Sequence, residues 1–337
     1  MSPHPPPFDA ELAAALTAAG PAGSFAFTLD GLAALREALA AAAPTPEQLD
    51  RNGLIAVEER KVPGPEYATD VSLLICRPTA SAGRRPVLYH VHGGGMVVGT
   101  NTSGVDVFVD WALELDLVVV SVEYRLAPEY PHPAPVEDVY AGLVWTVEHA
   151  EEIGGDPARV VVVGCSAGGG LTAATTLMAR DRGGPRPLGH MLVSPMLDDR
   201  NDTPSAHQME GLGVWDRSAN AMGWTALLGD RCGTPAVSAY AAPARAEDLS
   251  ALPPAYLDVG SAETFRDETV AYAARLWQAG GDAELHVWPG AFHTFDQYAP
   301  QAALSRAART ARLAWLRRLL HEWQDFNHRL HEAGHQP

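Results

Sequence analysis

Cysteine is scarce in this sequence of 337 residues, with Cys76, Cys165 and Cys232 the only three. An odd total with no CxxC pair supplies neither a disulfide framework nor a zinc site, and it suits a reducing cytoplasm. Positive charge is also short: 24 Lys and Arg stand against 41 Asp and Glu, for a net charge of −17. Such a surface repels phosphate backbones and anionic membranes, which argues against nucleic acid as a partner. No stretch reaches the roughly 18 consecutive apolar residues that a membrane helix requires. The Pro-rich start, Met1 to Phe8, lacks the basic and apolar regions of a secretory signal. Together these absences predict a soluble, cytoplasmic chain without a membrane span.

What is present is a globular composition, 47% hydrophobic and 19% charged, on a chain long enough to bury a large core. Ala10 to Ala43 is dense in Ala and Leu, interrupted at Gly20-Pro21, and predicts two helices opened by caps at Asp9 and Asp30. From Ile55 the texture changes. Ile55 to Val62, Thr69 to Arg77, Val87 to Val91, Leu117 to Val122, Val160 to Val163, Ala255 to Val259 and Glu284 to Trp288 predict strands, and another ends near Ser194. Helical stretches alternate with them at Val136 to Ala150, Ala167 to Arg180, Glu268 to Ala279 and Ala302 to Trp323. Continuous β-branched runs signal strands buried on both faces, so the rhythm predicts an α/β fold with a mainly parallel sheet between helices.

One connection breaks that rhythm. Between Ser194 and Ala255 lie about 60 residues where 2 to 6 are usual, and they carry apolar helical stretches with Trp215, Met222, Trp224 and Leu227. A helical insertion over one end of the sheet is expected, which divides the chain into N-terminal helices (1–50), a first core part (51–197), an insertion (198–250) and a second core part (251–337).

Val160 to Val163 run directly into Gly164-Cys165-Ser166-Ala167-Gly168, and a helix follows. Strand, sharp glycine turn and helix are what a GxSxG motif needs to hold a serine hydroxyl exposed above a sheet. A serine attacks well only when a base removes its proton and a carboxylate orients that base, in the chain order Ser, acid, His. His293 follows Trp288-Pro289-Gly290, just beyond a strand, and is the candidate base. His286 alternates within the strand itself, and His321, His328, His331 and His335 sit on or beyond the last helix, where they read as a solvated face. For the acid, the loop after Val259 offers Glu263, Asp267 and Glu268. Asp267 and Glu268 fall in the first turn of the following helix, where acids favour the dipole, so Glu263 is preferred. The remaining requirement is an oxyanion site. His92-Gly93-Gly94-Gly95, after the third strand, exposes backbone N–H groups where such donors arise, and neither a GxxxxGKS/T nor a GxGxxG loop is present to favour phosphate.

These motifs, with Tyr124-Arg125-Leu126-Ala127-Pro128-Glu129, Phe265-Arg266-Asp267-Glu268 and Pro289-Gly290-Ala291-Phe292-His293, resemble the hormone-sensitive-lipase-like family of bacterial esterases over about Pro86 to Phe295. The resemblance implies an α/β-hydrolase fold with a cap built from the N-terminal helices and the insertion. It implies hydrolysis of short-chain carboxylic esters without a cofactor or metal. It implies an oxyanion hole from Gly94, Gly95 and Ala167, and a catalytic set of Ser166, Glu263 and His293. Three positions depart from the family pattern: Cys165 replaces its usual Asp, Glu263 replaces its catalytic Asp, and Gly170 replaces a common Asn. Tyr124 to Pro128, with Glu129, Glu137 and Asp138, are expected to hold loops near the site. Trp215, Met222 and Trp224 are candidates to line an acyl or alcohol pocket, or to pack the insertion's own core. The expected ligand is a small ester, with lactones and amides open to the same residues. A non-catalytic binding protein of this fold is the alternative class, and a homodimer is one of the assemblies left open.

Overall fold

Val160 and Val162 pack into one core cluster, while Val161 and Val163 pack into another on the opposite face of the same strand. This two-sided burial, worth roughly 1.5–3 kcal/mol for each valine, is why the run reads as uninterrupted apolar sequence. The computed structural model describes residues 4–20, 29–66, 68–80 and 83–333, with 324–333 as backbone alone.

Eight strands form the sheet: β1 (Ile55–Val62), β2 (Val71–Pro78), β3 (Arg85–Val91), β4 (Val118–Glu123), β5 (Gly155–Cys165), β6 (Gly189–Val193), β7 (Ala255–Gly260) and β8 (Ala283–Trp288). Their order is β1-β2-β4-β3-β5-β6-β7-β8, with β2 antiparallel to both β1 and β4 and all other neighbours parallel. Eleven helices accompany them among the described residues: α1 (Ala10–Ala19), α2 (Leu32–Ala42), α3 (Pro46–Leu49), α4 (Asp106–Leu115), α5 (Ala134–Glu148), α6 (Ala167–Asp181), α7 (Pro204–Gln208), α8 (Arg217–Leu228), α9 (Arg266–Gln278), α10 (Phe295–Tyr298) and α11 (Ala303–Ala333). Side chains of α5 and α6 fill the core on one face of the sheet, and those of α4 and α11 fill it on the other. Among the described residues no helix is long and apolar enough to cross a membrane.

The strand order positions the site. From β3 the chain passes to β4 on one side and then returns to β5 on the other, so β3 and β5 lie at a topological switch point. Loops leaving adjacent parallel strands diverge there and open a crevice at the carboxyl ends. Val91 pairs with Gly164, so the two glycine-rich loops that follow start at the same level.

The N-terminal helices differ in how they start. Asp9 Oδ1 accepts from the N–H groups of Glu11 at 2.9 Å and Leu12 at 3.2 Å and caps α1 as expected. Asp30 does not cap α2. A 3-10 turn over Leu29–Gly31 feeds the helix, and its cap residue Gly31 has helical angles rather than the extended backbone a side-chain cap requires. Gly20 ends α1 with φ 61°, whereas Pro21 and the first three residues lie outside the described residues. In the insertion, Trp215 precedes α8 instead of lying within a helix, because Asp216 caps that helix by accepting from the N–H of Ala219 at 2.8 Å.

Candidate active site

Ser166 sits between β5 and α6 with φ 59° and ψ −123°, a region non-glycine residues seldom occupy. Hydrogen bonds hold the turn in that state. The N–H of Ser166 donates to Val193 O at 2.9 Å, and Ser166 O accepts from the N–H groups of Gly170 and Met196, each at 3.0 Å. Glycine is required behind it, since a Cβ on Gly168 would lie 2.1 Å from Val91 O. The hydroxyl is thereby lifted to the head of the crevice.

His293 reaches it from the loop after β8. Nε2 of His293 lies 2.9 Å from Ser166 Oγ, and Nδ1 lies 3.0 Å from Glu263 Oε1. With a carboxylate as its acceptor, Nδ1 carries the proton and Nε2 faces the serine hydroxyl as an acceptor. The other oxygen, Oε2, accepts from Ser194 Oγ at 3.0 Å and from the N–H of Gly260 at 2.9 Å, so Glu263 is fully occupied although buried. Phe265 meets the imidazole edge-on at a centroid distance of 5.1 Å. Bonds from Ser261 N to Trp288 O (2.8 Å) and from Ala262 N to Ala291 O (3.0 Å) lace the Glu263 loop to the His293 loop.

The third loop follows β3. Gly94 and Gly95 have φ of 113° and 62°, and a Cβ on Gly93 would come within 3.4 Å of Ser166 Cβ, so this loop lies directly against the serine. Ala167 opens α6, where a helix leaves its first N–H groups without intrahelical partners and favours negative charge. His92 beneath the loop stacks on Tyr124 at 4.1 Å and bonds its own loop through Nδ1 to Gly93 O at 2.8 Å. Burial holds its pKa down to about 4, which keeps the ring neutral. The Tyr124 hydroxyl donates to His92 O at 2.9 Å, and Arg125 pairs with Asp138 at 2.6 Å. Arg36 of α2 donates to Val97 O and Ala127 O and pairs with Glu129, while Glu137 pairs with Arg182. The Tyr124 to Glu129 segment, with Asp138, therefore braces these loops as expected, whereas Glu137 links α5 to the far end of α6.

Other candidates divide. Trp215 is buried against Gly95 and lies 6.5 Å, ring to ring, from His293, whereas Trp224 is wholly enclosed in core and Met222 packs against that core. Asp267 and Glu268 do more than favour a helix dipole. Asp267 accepts from Ser205 N at 2.8 Å, and Glu268 accepts from Leu197 N at 2.7 Å, which ties α9 to the start of the insertion. Burial raises the Glu268 pKa well above the ordinary value. His286 stays in β8, bonded to Glu284 and stacked on Tyr256 and Trp288. His321 is exposed on α11; the side chains of His328 and His331, and all of His335, lie outside the described residues.

Cys165 points away from Ser166, into the sheet face covered by α4 and α11. Burial, and then the nearby charge of Asp296, raises its thiol pKa. Close by, Arg312 of α11 bonds Asp258 at 2.7 Å and Asp296 at 2.6 Å, linking β7 to the turn after His293. That ion cluster, the brace from Ser194 and the buried Asn201 and Asn220 were not singled out from the sequence. Each residue is ordinary in its local pattern, and only the tertiary fold supplies its partner.

Residues 88–297 match the family described as alpha/beta hydrolase fold. The chain is 34% identical over 294 residues to Carboxylesterase NlhH of Mycobacterium tuberculosis, covering 87% of this chain and 91% of that protein. Over 120 residues it is 35% identical to the hormone-sensitive lipase of Mus musculus, 36% of this chain and 16% of the lipase. The chain belongs to the hormone-sensitive-lipase-like family of α/β hydrolases. Among solved structures, a bacterial heroin esterase superposes with a TM-score of 0.86 at 39% identity, covering 93% of this chain and 98% of its own. The expected fold and family hold, and the chain is a carboxylesterase of the serine ester hydrolase class.

Proposed function

We propose that this carboxylesterase hydrolyses short-chain carboxylic esters through an acyl-enzyme on Ser166. The observation that carries the reading is His293, which stands 2.9 Å from the serine hydroxyl at one nitrogen and 3.0 Å from Glu263 at the other. His293 Nε2 takes the hydroxyl proton as Oγ bonds to the acyl carbon, and Glu263 stabilises the imidazolium so formed. The carbonyl oxygen becomes an oxyanion, for which the N–H groups of Gly94, Gly95 and Ala167 are the donors. The imidazolium then protonates the leaving alkoxide and the C–O bond to the alcohol breaks. A water molecule, deprotonated by the same nitrogen, attacks the acyl carbon, and the carboxylic acid leaves as Oγ recovers its proton.

The N-terminal helices and residues 198–250 act as the cap in this reading. Leu12 of α1 packs with Phe292 and Phe295 around the base loop, and Trp215 of the insertion packs on Gly95, which supports a site covered from both sides. A covered site encloses its ligand, so small acyl groups are favoured. Three cysteines with no pairing pattern support a reducing cytoplasm as its location in this reading.

Hydrolysis of p-nitrophenyl esters from acetyl to dodecanoyl, with fluorophosphonate labelling of the intact chain, tests the proposal. Ser166→Ala and His293→Ala are expected to lose nearly all turnover, and Ser166→Ala to lose the label. Retained turnover in either variant, or a maximum at dodecanoyl, overturns it. A protein that binds ligands without catalysis would remain unlabelled.

A further inference from the structure

We infer that Asn220 and Asn201 hold Trp215 as the wall that limits the length of the acyl group, so the insertion sets specificity through a buried amide relay. The inference rests on Ser166 as the nucleophile and adds which residues measure the substrate.

Trp215 is only 5% exposed. Its Cη2 would lie 2.4 Å from a Cβ on Gly95, so the indole occupies the space that any larger residue at that position would fill. Gly223 of α8 completes the fit, since its own Cβ would sit 3.4 Å from Trp215 Cζ2 and 3.2 Å from Gly95 O. Loop, indole and helix are therefore in close mutual contact.

The ring is held at both ends. Trp215 Nε1 donates to Asn220 Oδ1 at 3.3 Å, and Asn220 Nδ2 donates to Asn201 Oδ1 at 3.0 Å. Asn201 Nδ2 then donates to Arg217 O at 2.9 Å, where α8 begins. Both asparagines are buried, and buried amides keep one orientation because losing a partner leaves a desolvated polar group. At the backbone, Trp215 O accepts from Thr264 Oγ1 at 2.7 Å, and Thr264 directly follows the acid Glu263. An aromatic side chain fastened in this way is a rigid stop rather than a swinging gate.

Stereochemistry assigns what it stops. In the tetrahedral adduct the oxyanion faces Gly94, Gly95 and Ala167, and the leaving oxygen faces His293 Nε2. The remaining substituent is the acyl chain. It leaves the reacting carbon beside the donor loop, where the indole lies on Gly95.

Kinetics across acetyl, butanoyl, hexanoyl, octanoyl and dodecanoyl p-nitrophenyl esters decide the matter, with wild type, Trp215→Ala, Trp215→Phe and Asn220→Ala compared on the full chain. Trp215→Ala is expected to raise the octanoyl-to-acetyl ratio of kcat/KM by about tenfold or more, the scale on which an apolar pocket discriminates one methylene. Trp215→Phe shifts the ratio in the same direction by less, and it decides the question if the alanine variant does not fold. Asn220→Ala, which leaves the indole in place but unties it, raises the ratio severalfold, chiefly through a lower KM for the longer esters. An acyl profile unchanged in all three variants while the wild type remains active overturns the inference and leaves the proposed mechanism standing. A shift seen only when the alcohol is lengthened also overturns it. A wild type that hydrolyses no ester overturns the mechanism, and this inference with it.

Discussion

Ser194 donates its hydroxyl to Glu263 Oε2 at 3.0 Å, and that bond leaves Oε1 turned toward His293 Nδ1. Ser194 itself has φ 43°, an unusual backbone state for serine, so the hydroxyl is delivered by a strained turn at the end of β6. Glutamate has one more rotatable bond than aspartate. Two anchors on Oε2, Ser194 and the Gly260 N–H, fix the longer side chain at its far end.

Ser194→Ala removes one anchor from a buried carboxylate, which typically costs roughly 1–3 kcal/mol. A drop in kcat of about tenfold is expected. Glu263→Gln keeps the volume but removes the charge that stabilises the imidazolium, and a loss of up to about 10⁴ is expected by analogy with acid replacements in other triads. Steady-state kcat on a butanoyl ester measures both, and equal activity in Glu263→Gln and wild type would eliminate Glu263 as the acid.

Cys165 adjoins Ser166 but is not expected to react. Burial and the charge of Asp296 raise its pKa, so the thiol stays protonated at neutral pH. Titration of the native enzyme with an aromatic disulfide near pH 7.5 is expected to leave Cys165 unmodified, and Cys165→Ala is expected to keep its fluorophosphonate labelling. Rapid modification at Cys165 with loss of activity would contradict both.

Arg312 holds two buried carboxylates, Asp258 and Asp296. Arg312→Met strands both acids in a low-dielectric site, and removing one partner of a buried pair typically costs about 3–5 kcal/mol. A thermal melt is expected to show a loss of many degrees. Double replacement of Asp258 and Asp296 by Asn in the Arg312→Met background should recover part of it; a melt unchanged by Arg312→Met would show the cluster to be energetically idle.

Acid sensitivity follows from three buried histidines. Burial lowers the pKa of His90 to about 3 and those of His92 and His190 to about 4, against about 6.5 in an unfolded chain. Because the folded pKa lies below the unfolded one, the unfolded chain takes up protons first. The stability these rings contribute is thus present above about pH 6.5 and is lost as pH falls toward 4, on the order of 2 kcal/mol per ring by pH 5. Neither ring nitrogen of His190 has a hydrogen-bond partner among the described residues. His190→Leu should therefore flatten the decline of melting temperature between pH 7 and pH 5; an identical decline would remove His190 from the account.

Much of this enzyme is legible in its sequence, for identifiable reasons. The strands near Val160 and Ala255 announced themselves because burial on both faces leaves no polar interruption. Ser166 and His293 were legible because each sits where a strand ends in a glycine turn, a local feature. Glu263 is legible because it lies before the helix whose first turn holds Asp267 and Glu268, and the fold separates the three acids by partner: His293 for Glu263, Ser205 for Asp267 and Leu197 for Glu268. The cap of α2 and the position of Trp215 differ from the sequence expectation because a 3-10 turn and an aspartate cap shift helix starts by a residue or two. Arg312, Ser194 and Asn220 were silent for a different reason. Their partners lie 54, 69 and 19 residues away, at Asp258, Glu263 and Asn201, and no local spacing encodes such contacts.

The first described helix is joined across most of the sequence to the His293 loop, by Asp9 N to Gly290 O at 3.0 Å, and to the start of α11, by Ala303 N to the side chain of Glu11 at 2.8 Å. Contacts of such long range close large loops and tend to form late in folding. The elbow, built between neighbouring elements β5 and α6, can assemble sooner. During refolding, helical signal should therefore return ahead of turnover, with ester hydrolysis reporting the moment when the start of α1 docks against Gly290 and Ala303.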